Sequence, residues 1–440
     1  RYVLLRTYID IMKLTPARRI SGRLQLPGDK SISHRAALIA ALASGSSEIS
    51  NFSTARDCAS TVECLRALGV SIEQTNQKLI VAGSRKLVAP DRPLDCANSG
   101  STLRILTGVL AGHDLTAELI GDESLSSRPM RRIIEPLELM GARIESTDGN
   151  APLKVHGSAN LNPITYKLPV ASAQVKSAIL FAGLNATGRT TVIETSPSRD
   201  HTERLFNGFG VPVNTDQHLS VSIEGPARLT GGAITIPGDV SSAAYFVAAA
   251  MLLPGSEITI ERVGLNPTRA AFLDVLSSWG AEISVTDVQS DRNEPFGTIH
   301  VRGGVNRNAG ERERTLSGSM IPALIDELPL LAVVGSQIDG GIQIRDAREL
   351  RLKESDRLAT TAKNLRAMGA EVEEFEDGLA VAGPTKLRGA FVDSHLDHRI
   401  AMAFSVAALI AAGETQIAGS ECVAISFPEF FSLLDSLTVR

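Results

Sequence analysis

One short pattern occurs twice in this chain, once in each half. LPGDKSISHR spans residues 26–35 and IPGDVSSAAYF spans residues 236–246. In both copies a short apolar strand ends at Pro-Gly, an Asp that can cap a helix follows, and small apolar residues supply the body of that helix. Because one half repeats the other, we expect two similar domains.

A second repeat divides each half into smaller units. Amphipathic helices that end at a glycine and lead into a strand recur about every 70 residues, with one longer interval of about 90. The glycines are Gly69, Gly141, Gly210, Gly280 and Gly369. Together with the capped small-residue helices, they predict six units of the βαβαββ type, three in each half. A polar stretch, 291–314, lengthens the fourth interval and predicts a surface hairpin and loop.

The two Pro-Gly-Asp patterns mark the points at which the chain crosses between the domains. We therefore predict a first domain over residues 27–237 and a second domain formed by residues 1–26 and 238–440. The polar residues cluster where the units begin. The predicted site accordingly lies in the cleft between the domains.

Composition excludes several classes of function. The net charge is −5 and the sequence pI is about 6.0, so the chain has no general positive field for nucleic acid or an anionic membrane. No apolar run reaches the roughly 20 residues that span a bilayer. The four cysteines form no CxxC pair and no metal-ligand spacing with histidine, which indicates a reducing compartment, the cytoplasm, and no metal.

Basic residues stand where the units begin. They are Lys30, Arg35, Arg128, Lys353, Arg357 and Arg399. Helix N-termini already favour anions, and these side chains add formal charge. Their excess over the carboxylates Asp326 and Glu354 suits ligands with several negative charges, such as two phosphates or a phosphate with carboxylates. No phosphate-loop or dinucleotide glycine motif is present, so the usual nucleotide sites are not indicated.

These clusters also have ordinary structural interpretations. The basic residues could be solvated groups on capped helices, and Asp326 with Glu327 could cap the helix that follows them. In the run RLKESDR, the spacing of Lys353, Glu354 and Arg357 predicts one helix face. A solvent-exposed, salt-bridged helix is therefore the alternative to a binding site there.

The order and wording of the motifs resemble one family over almost the whole chain. PGDKSISHR, NSGSTLR, RPM, SAQVKSA, SRDHTER, IDELP, KESDRL and DHRIAMA occur as in the 5-enolpyruvylshikimate-3-phosphate synthases, and the SAQVKS and RELRLKESDR wording is similar to the class II branch. The resemblance implies an α/β fold of two similar inverted α/β barrel domains, each of three βαβαββ units. It also implies transfer of the enolpyruvyl group of phosphoenolpyruvate to the 5-hydroxyl of shikimate 3-phosphate, with release of phosphate, in aromatic amino acid biosynthesis.

The family's site residues carry over to the matching positions of this chain. The resemblance implies that shikimate 3-phosphate is bound by Lys30, Ser31, Arg35, Ser172, Ala173, Gln174, Arg199, Asp326 and Lys353. It implies that phosphoenolpyruvate is bound by Lys30, Asn98, Gly100, Arg128, Gln174, Arg357, His398 and Arg399. The implied catalytic residues are Lys30, Asp326 and Glu354, with the two carboxylates handling protons in an order that the motifs leave open.

Three positions depart from the pattern of many members. Ala173 stands in place of a second serine, so Lys176 or Arg199 is expected to supply the missing phosphate contact. Others have a lysine just before a C-terminal Thr-Phe-Pro, where this chain reads Ile425-Ser426-Phe427-Pro428, which removes one cation from the phosphoenolpyruvate side. Gly100 stands where glyphosate-tolerant members often have alanine, so that steric block is absent.

Two other interpretations remain to be compared. UDP-N-acetylglucosamine enolpyruvyl transferase is expected to share the fold and the donor, but it usually has a cysteine in the loop that corresponds to 118–132, which here has none. A non-catalytic anion-binding homologue would not need Asp326 and Glu354 together with Lys30. The preferred interpretation expects a monomer that uses these two substrates, without a cofactor, nucleic acid or membrane.

Overall fold

The small-residue helices begin at capped turns, as the sequence predicts. The Asp29 carboxylate accepts a hydrogen bond from the backbone N–H of Ile32, and Asp239 accepts one from Ser242, each at 2.9 Å. These bonds satisfy first-turn N–H groups that have no partner within the helix. The computed structural model describes residues 10–84, 86–305 and 314–440.

The elements follow the expected alternation. The helices are α1 Lys30–Leu42, α2 Arg56–Ala67, α3 Gly100–Ala111, α4 Glu123–Ser126, α5 Arg131–Leu139, α6 Ala173–Gly183, α7 His201–Gly208, α8 Val240–Leu252, α9 Ala271–Ser278, α10 Ile321–Leu324, α11 Leu328–Gly335, α12 Arg357–Ala367, α13 His398–Ile410 and α14 Phe430–Leu437. The strands are β1 Ile11–Leu14, β2 Arg19–Gln25, β3 Ser46–Ser50, β4 Ser71–Thr75, β5 Lys78–Ala82, β6 Leu94–Asp95, β7 Thr116–Ile120, β8 Arg143–Thr147, β9 Asn150–His156, β10 Thr165–Lys167, β11 Gly188–Ile193, β12 Val213–Thr215, β13 Ser220–Gly225, β14 Ala233–Thr235, β15 Glu257–Gly264, β16 Glu282–Asp291, β17 Glu294–Arg302, β18 Thr315–Leu316, β19 Ile342–Ile344, β20 Val372–Phe375, β21 Gly378–Val381, β22 Phe391–Asp393, β23 Thr415–Ala418 and β24 Thr438–Val439.

The strands form six sheets in the described part of the chain, and one connection pattern recurs. In the sheet β6-β7-β9-β8, β6 lies parallel to β7, whereas β9 is antiparallel to both β7 and β8. Helix α3 connects β6 to β7 and α5 lies between β7 and β8, which makes one βαβαββ unit. The sixth sheet, β1-β23-β22, is smaller. The predicted α/β repeat is therefore confirmed.

Two strands are exchanged where the chain crosses between its halves. Strand β2 precedes α1 but pairs in parallel with β15, whereas β14 precedes α8 but pairs in parallel with β3. The crossing segments are hydrogen-bonded to each other: Asp29 N donates to Pro237 O at 2.8 Å, and Asp239 N donates to Pro27 O at 3.1 Å. The repeated Pro-Gly-Asp sequences thus form the two adjacent links between the halves.

Two separate clusters of buried apolar residues support the two halves. One runs from Ile32 to Ile236. The other combines residues from Leu14 to Leu26 with residues from Val240 to Leu437. Small side chains let the helices of each cluster approach closely. A Cβ at Gly108 of α3 would lie 2.1 Å from the carbonyl oxygen of Ala178 in α6, so glycine is required at this contact.

The longer fourth interval contains a long hairpin. Strands β16 and β17 pair antiparallel and turn at Arg292 and Asn293, so the hairpin begins before the polar stretch predicted to form it. Residues 306–313 of that predicted loop lie outside the described residues.

We find no single helix in the described ranges that is both long and apolar enough to cross a membrane. One sharply bent pair, Gly318–Leu324 with Leu328–Gly335, passes that test by length and composition only.

Candidate active site

A cavity of about 920 Å³ lies between the two halves and collects most of the predicted site residues. Those that line it are Lys30, Ser31, Gly100, Arg128, Ser172, Ala173, Gln174, Arg199, Asp326, Lys353, Glu354, Arg357, His398 and Arg399. Several belong to the starts of helices α1, α3, α6, α12 and α13. Backbone N–H groups and helix dipoles therefore add to the positive charge of the side chains.

Asp326 is the carboxylate on which the arginines of both halves converge. Arg199, from the first half, donates to it directly. From the second half, Arg269 and Arg357 lie 3.3 Å from its oxygens and Arg399 lies 3.7 Å away. Burial raises the pKa of Asp326, but the surrounding guanidinium groups outweigh burial and hold that pKa well below its usual range. Asp326 is therefore ionised at neutral pH.

Glu354 forms a second contact between the halves. Its carboxylate accepts a hydrogen bond from Arg357 at 2.6 Å and lies 3.5 Å from Arg128 Nη1 of the first half. Burial disfavours the charged form, yet Arg357 and Arg128 hold the pKa of Glu354 well below its usual range. The cleft thus contains two ionised carboxylates in a predominantly cationic wall.

The predicted helix across RLKESDR is wrong. Helix α12 begins only at Arg357, with Asp356 as its cap, and Lys353 and Glu354 lie in the preceding turn. Because this turn is not helical, side chains adjacent in sequence face the same cavity. The interpretation of these residues as a solvent-exposed helix face is therefore also wrong.

Capping does not explain Asp326 and Glu327 either. Helix α11 has no side-chain cap at its start. Glu327 is buried and accepts a hydrogen bond from Ser241, while Asp326 faces the arginines. Asp326 therefore lines the cleft, whereas Glu327 is buried beside it against Ser241.

Lys30 and His398 occupy the same region in different charge states. Lys30 Nζ lies 2.9 Å from Asp57, and although burial opposes its charge, this partner raises the pKa of Lys30 above its ordinary value. Burial and the nearby charge of Lys30 lower the pKa of His398 well below its ordinary value. Lys30 is therefore a cation, and His398 is a neutral imidazole at neutral pH.

Two predicted ligand residues, Arg35 and Asn98, lie behind the cavity wall. The buried guanidinium of Arg35 donates to Thr202 and Ser177, and burial lowers its pKa to about 10. Asn98 Oδ1 accepts a hydrogen bond from Arg128 Nη2 at 2.8 Å. Arg35 also donates to the carbonyl oxygen of Ser31 at 2.9 Å, so each of the two residues contacts a residue that lines the cavity.

Lys176 cannot replace the serine missing at position 173. Its ammonium is buried between the carboxylates of Glu194, at 2.9 Å, and Glu203, at 2.6 Å. This part of the prediction is wrong because the charge of Lys176 is already neutralised inside the first half. Arg199 does line the cavity.

The cleft contains further residues whose roles were not predicted from the sequence. Arg269 precedes an apolar helix, so the signal that found the other basic residues also applies to it. Arg104, part of the NSGSTLR motif but not predicted to be a site residue, donates to Gln174 at 2.6 Å and orients that amide. Arg132 and Glu349 form a 2.5 Å ion pair between the halves, a pairing that no local motif reveals.

The paired α/β halves and their shared cationic cleft define an enolpyruvyl transferase. The EPSP synthase (3-phosphoshikimate 1-carboxyvinyltransferase) family model matches residues 14–434. The chain therefore belongs to that family and is an enzyme of the shikimate pathway, which confirms the resemblance seen in its motifs.

Curated relatives and solved structures agree with this assignment. A 3-phosphoshikimate 1-carboxyvinyltransferase from Koribacter versatilis is 51% identical over 98% of this chain and 99% of the relative. One from Geobacillus kaustophilus is 48% identical, over 96% and 99%. A structure of EPSP synthase from Acinetobacter baumannii is 38% identical with a TM-score of 0.85, covering 98% of this chain and 99% of that one. The enolpyruvyl transferase NikO from Streptomyces tendae, 19% identical with a TM-score of 0.77 over 97% of both chains, shares the fold.

Proposed function

We propose that this chain transfers the enolpyruvyl group of phosphoenolpyruvate to the 5-hydroxyl of shikimate 3-phosphate. The observation that carries the proposal is the pair of ionised carboxylates, Asp326 and Glu354, held in one cavity by arginines from both halves. Two phosphates and two carboxylates enter with the substrates. The cations of the wall balance that charge, and the two acidic residues move the protons.

We assign the two subsites by the positions that the family motifs imply, with Arg199 beside Asp326 and Arg128 beside Glu354. We assign shikimate 3-phosphate to the side of Arg199 and Asp326, with Ser31, Ser172, Gln174 and Lys353. We assign phosphoenolpyruvate to the side of Arg128 and Arg357, with Gly100, His398 and Arg399. We assign Lys30 and Gln174 to both sets, whereas Arg35 and Asn98 support them from behind the wall.

The same contacts suggest which carboxylate handles which proton. Glu354 lies between Arg128 and Arg357 on the donor side, so it would protonate the methylene carbon while C2 is attacked. Asp326 would accept the proton of the attacking hydroxyl and pass it to the phosphate as that group leaves. When the anionic donor shares these guanidinium groups, their effect on Glu354 weakens and its pKa rises toward that of a proton donor. Elimination of phosphate from the tetrahedral adduct requires removal of a methyl proton, which we also assign to Glu354.

The division into domains at Pro27 and Pro237 belongs to the same proposal. The two apolar clusters and the adjacent crossing segments support it, because each cluster lies on one side of these links. We further propose that the enzyme acts as a cytoplasmic monomer without a metal or cofactor, which light scattering and assay in the presence of a chelator would test.

Phosphate release from phosphoenolpyruvate tests the reaction directly. We expect phosphate release with shikimate 3-phosphate and none with UDP-N-acetylglucosamine. Release only with UDP-N-acetylglucosamine would identify the other transferase. No release with either acceptor would favour a non-catalytic protein.

Glu354→Gln should lower kcat by about a hundredfold or more. The control is Glu224→Gln, which alters an exposed ion pair with Arg189. A Glu354→Gln enzyme within about threefold of wild type would remove the proton-transfer role.

A further inference from the structure

A buried polar cluster joins the two halves outside the cleft. His201 and Asp200, at the start of α7, belong to the first half, whereas Glu294 and Asn266 belong to the second. His201 Nδ1 lies 2.8 Å from Glu294 Oε1, and Asn266 Nδ2 lies 3.2 Å from Glu294 Oε2. Asn266 also donates to Asp200 at 2.7 Å. His201 and Glu294 are each 1% exposed and Asn266 is 2% exposed, so water does not substitute for these bonds.

The hairpin β16–β17 extends the same contact along α7. At its turn, Arg292 Nη1 donates to Gly208 O at 2.6 Å and its guanidinium lies over the Phe209 ring at 4.8 Å. Asn293 Nδ2 donates to Arg204 O at 3.2 Å. The second half therefore holds α7 at both its start and its end.

This contact can affect the geometry of the cleft, because Arg199 is the residue directly before Asp200 and His201 in the chain. The Arg199 guanidinium reaches Asp326, while the next two side chains are held by Asn266 and Glu294. A buried carboxylate is costly unless its hydrogen bonds are made, so Glu294 favours one placement of the α7 start. A displacement of about 1 Å in a substrate-binding group can lower turnover about a hundredfold.

We propose that Glu294 and Asn266 are positioning residues for the enolpyruvyl transfer, because they hold the start of α7 so that Arg199 reaches Asp326 and the acceptor. The inference rests on the proposed function, which requires the wild-type chain to release phosphate from the two substrates. If wild type is inactive, the proposed function fails first. If wild type is active, the variants below test the positioning role separately.

The experiment is a double-mutant cycle on kcat/KM for shikimate 3-phosphate. Glu294→Gln and Asn266→Ala are each made in the wild-type and Arg199→Ala backgrounds. We expect each to lower kcat/KM about tenfold or more in the wild-type background. In the Arg199→Ala background each should change kcat/KM by no more than about twofold, since the residue they position is gone.

The matched control is Asn364→Ala. Asn364 is also a buried asparagine at 2% exposure, but its hydrogen bond joins α12 to Asp393 O of β22, within the second half and away from α7. We expect a similar loss of thermal stability with little change in kcat/KM. Equal losses in both backgrounds, unchanged kcat/KM, or an equal kinetic loss in Asn364→Ala would each overturn the proposal. If Asn266→Ala does not fold, Glu294→Gln and the milder Glu294→Asp decide by the same criterion.

Discussion

Gly100→Ala would add one methyl group to the proposed phosphoenolpyruvate side of the cleft. Gly100 is the first residue of α3, after the Ser99 cap. Its new Cβ would lie 3.0 Å from Arg104 Nη1 and 3.4 Å from Arg128 Nη1. Both neighbours are side-chain ends and not backbone, so the helix can stay in place while the nearer guanidinium, that of Arg104, moves by a few tenths of an ångström.

The expected effect is therefore on binding. Alanine stabilises a helix by about 0.5–1 kcal/mol relative to glycine, which offsets the tight contact, so the unfolding midpoint should change little. Arg128 is held by Asn98, Ser124 and Glu354 and has little freedom to shift. Loss of one hydrogen bond to a charged substrate group costs about 1.5–3 kcal/mol, which corresponds to a roughly tenfold to hundredfold lower kcat/KM for phosphoenolpyruvate.

The assay is steady-state phosphate release at saturating shikimate 3-phosphate with phosphoenolpyruvate varied. The control is the same substitution in the same helix, Gly108→Ala, whose Cβ would lie 2.1 Å from the backbone oxygen of Ala178. That variant should lose stability by about 1–3 kcal/mol and keep its KM for phosphoenolpyruvate. A Gly100→Ala enzyme with wild-type kcat/KM, or one that unfolds like Gly108→Ala, would refute the reasoning.

Two further predictions concern buried charge. Lys176→Met should lower the free energy of unfolding by about 3–5 kcal/mol in urea denaturation, because Glu194 and Glu203 lose their shared cation; an unchanged midpoint would contradict this. The depressed pKa values of Asp326 and Glu354 should make the protein lose stability as pH falls below the ordinary values of 3.8 and 4.5, since the unfolded carboxyls bind protons there that the native ones do not. The double variant Asp326→Asn with Glu354→Gln should flatten this acid dependence in urea midpoints measured between about pH 5 and pH 3, and an equally steep decline would argue against the assignment.

Much of the fold could be predicted because its signals are local. An aspartate before an apolar run forms its cap with an N–H group three residues away, as Asp29 does with Ile32. A glycine ends a helix because it tolerates positive φ, as Gly69 does at 85°. Repetition of these short-range signals is sufficient to indicate the βαβαββ units and the two similar halves.

Much of the candidate site could also be predicted, because its basic residues stand at helix starts. Arg269, Arg132 and Glu349 were missed, and the roles of Arg35 and Lys176 required the structure. Their partners lie far away in the sequence, so no local spacing records which charges meet. The turn at Lys353 shows the same limit, since helical spacing alone predicted a continuous helix there.

The sequence by itself determined the capped starts of the small-residue helices, the repeated unit and the family motifs, because each depends on neighbouring residues. Only the tertiary structure decided that β2 pairs with β15 and β14 with β3. It also decided that Arg199 contacts Asp326 across the cleft and that Glu294 is hydrogen-bonded to His201. These pairings and contacts depend on which apolar surfaces are buried together and on which charged groups are desolvated by that burial. Burial and Coulomb interaction act between residues that are close in space, whatever their separation along the chain.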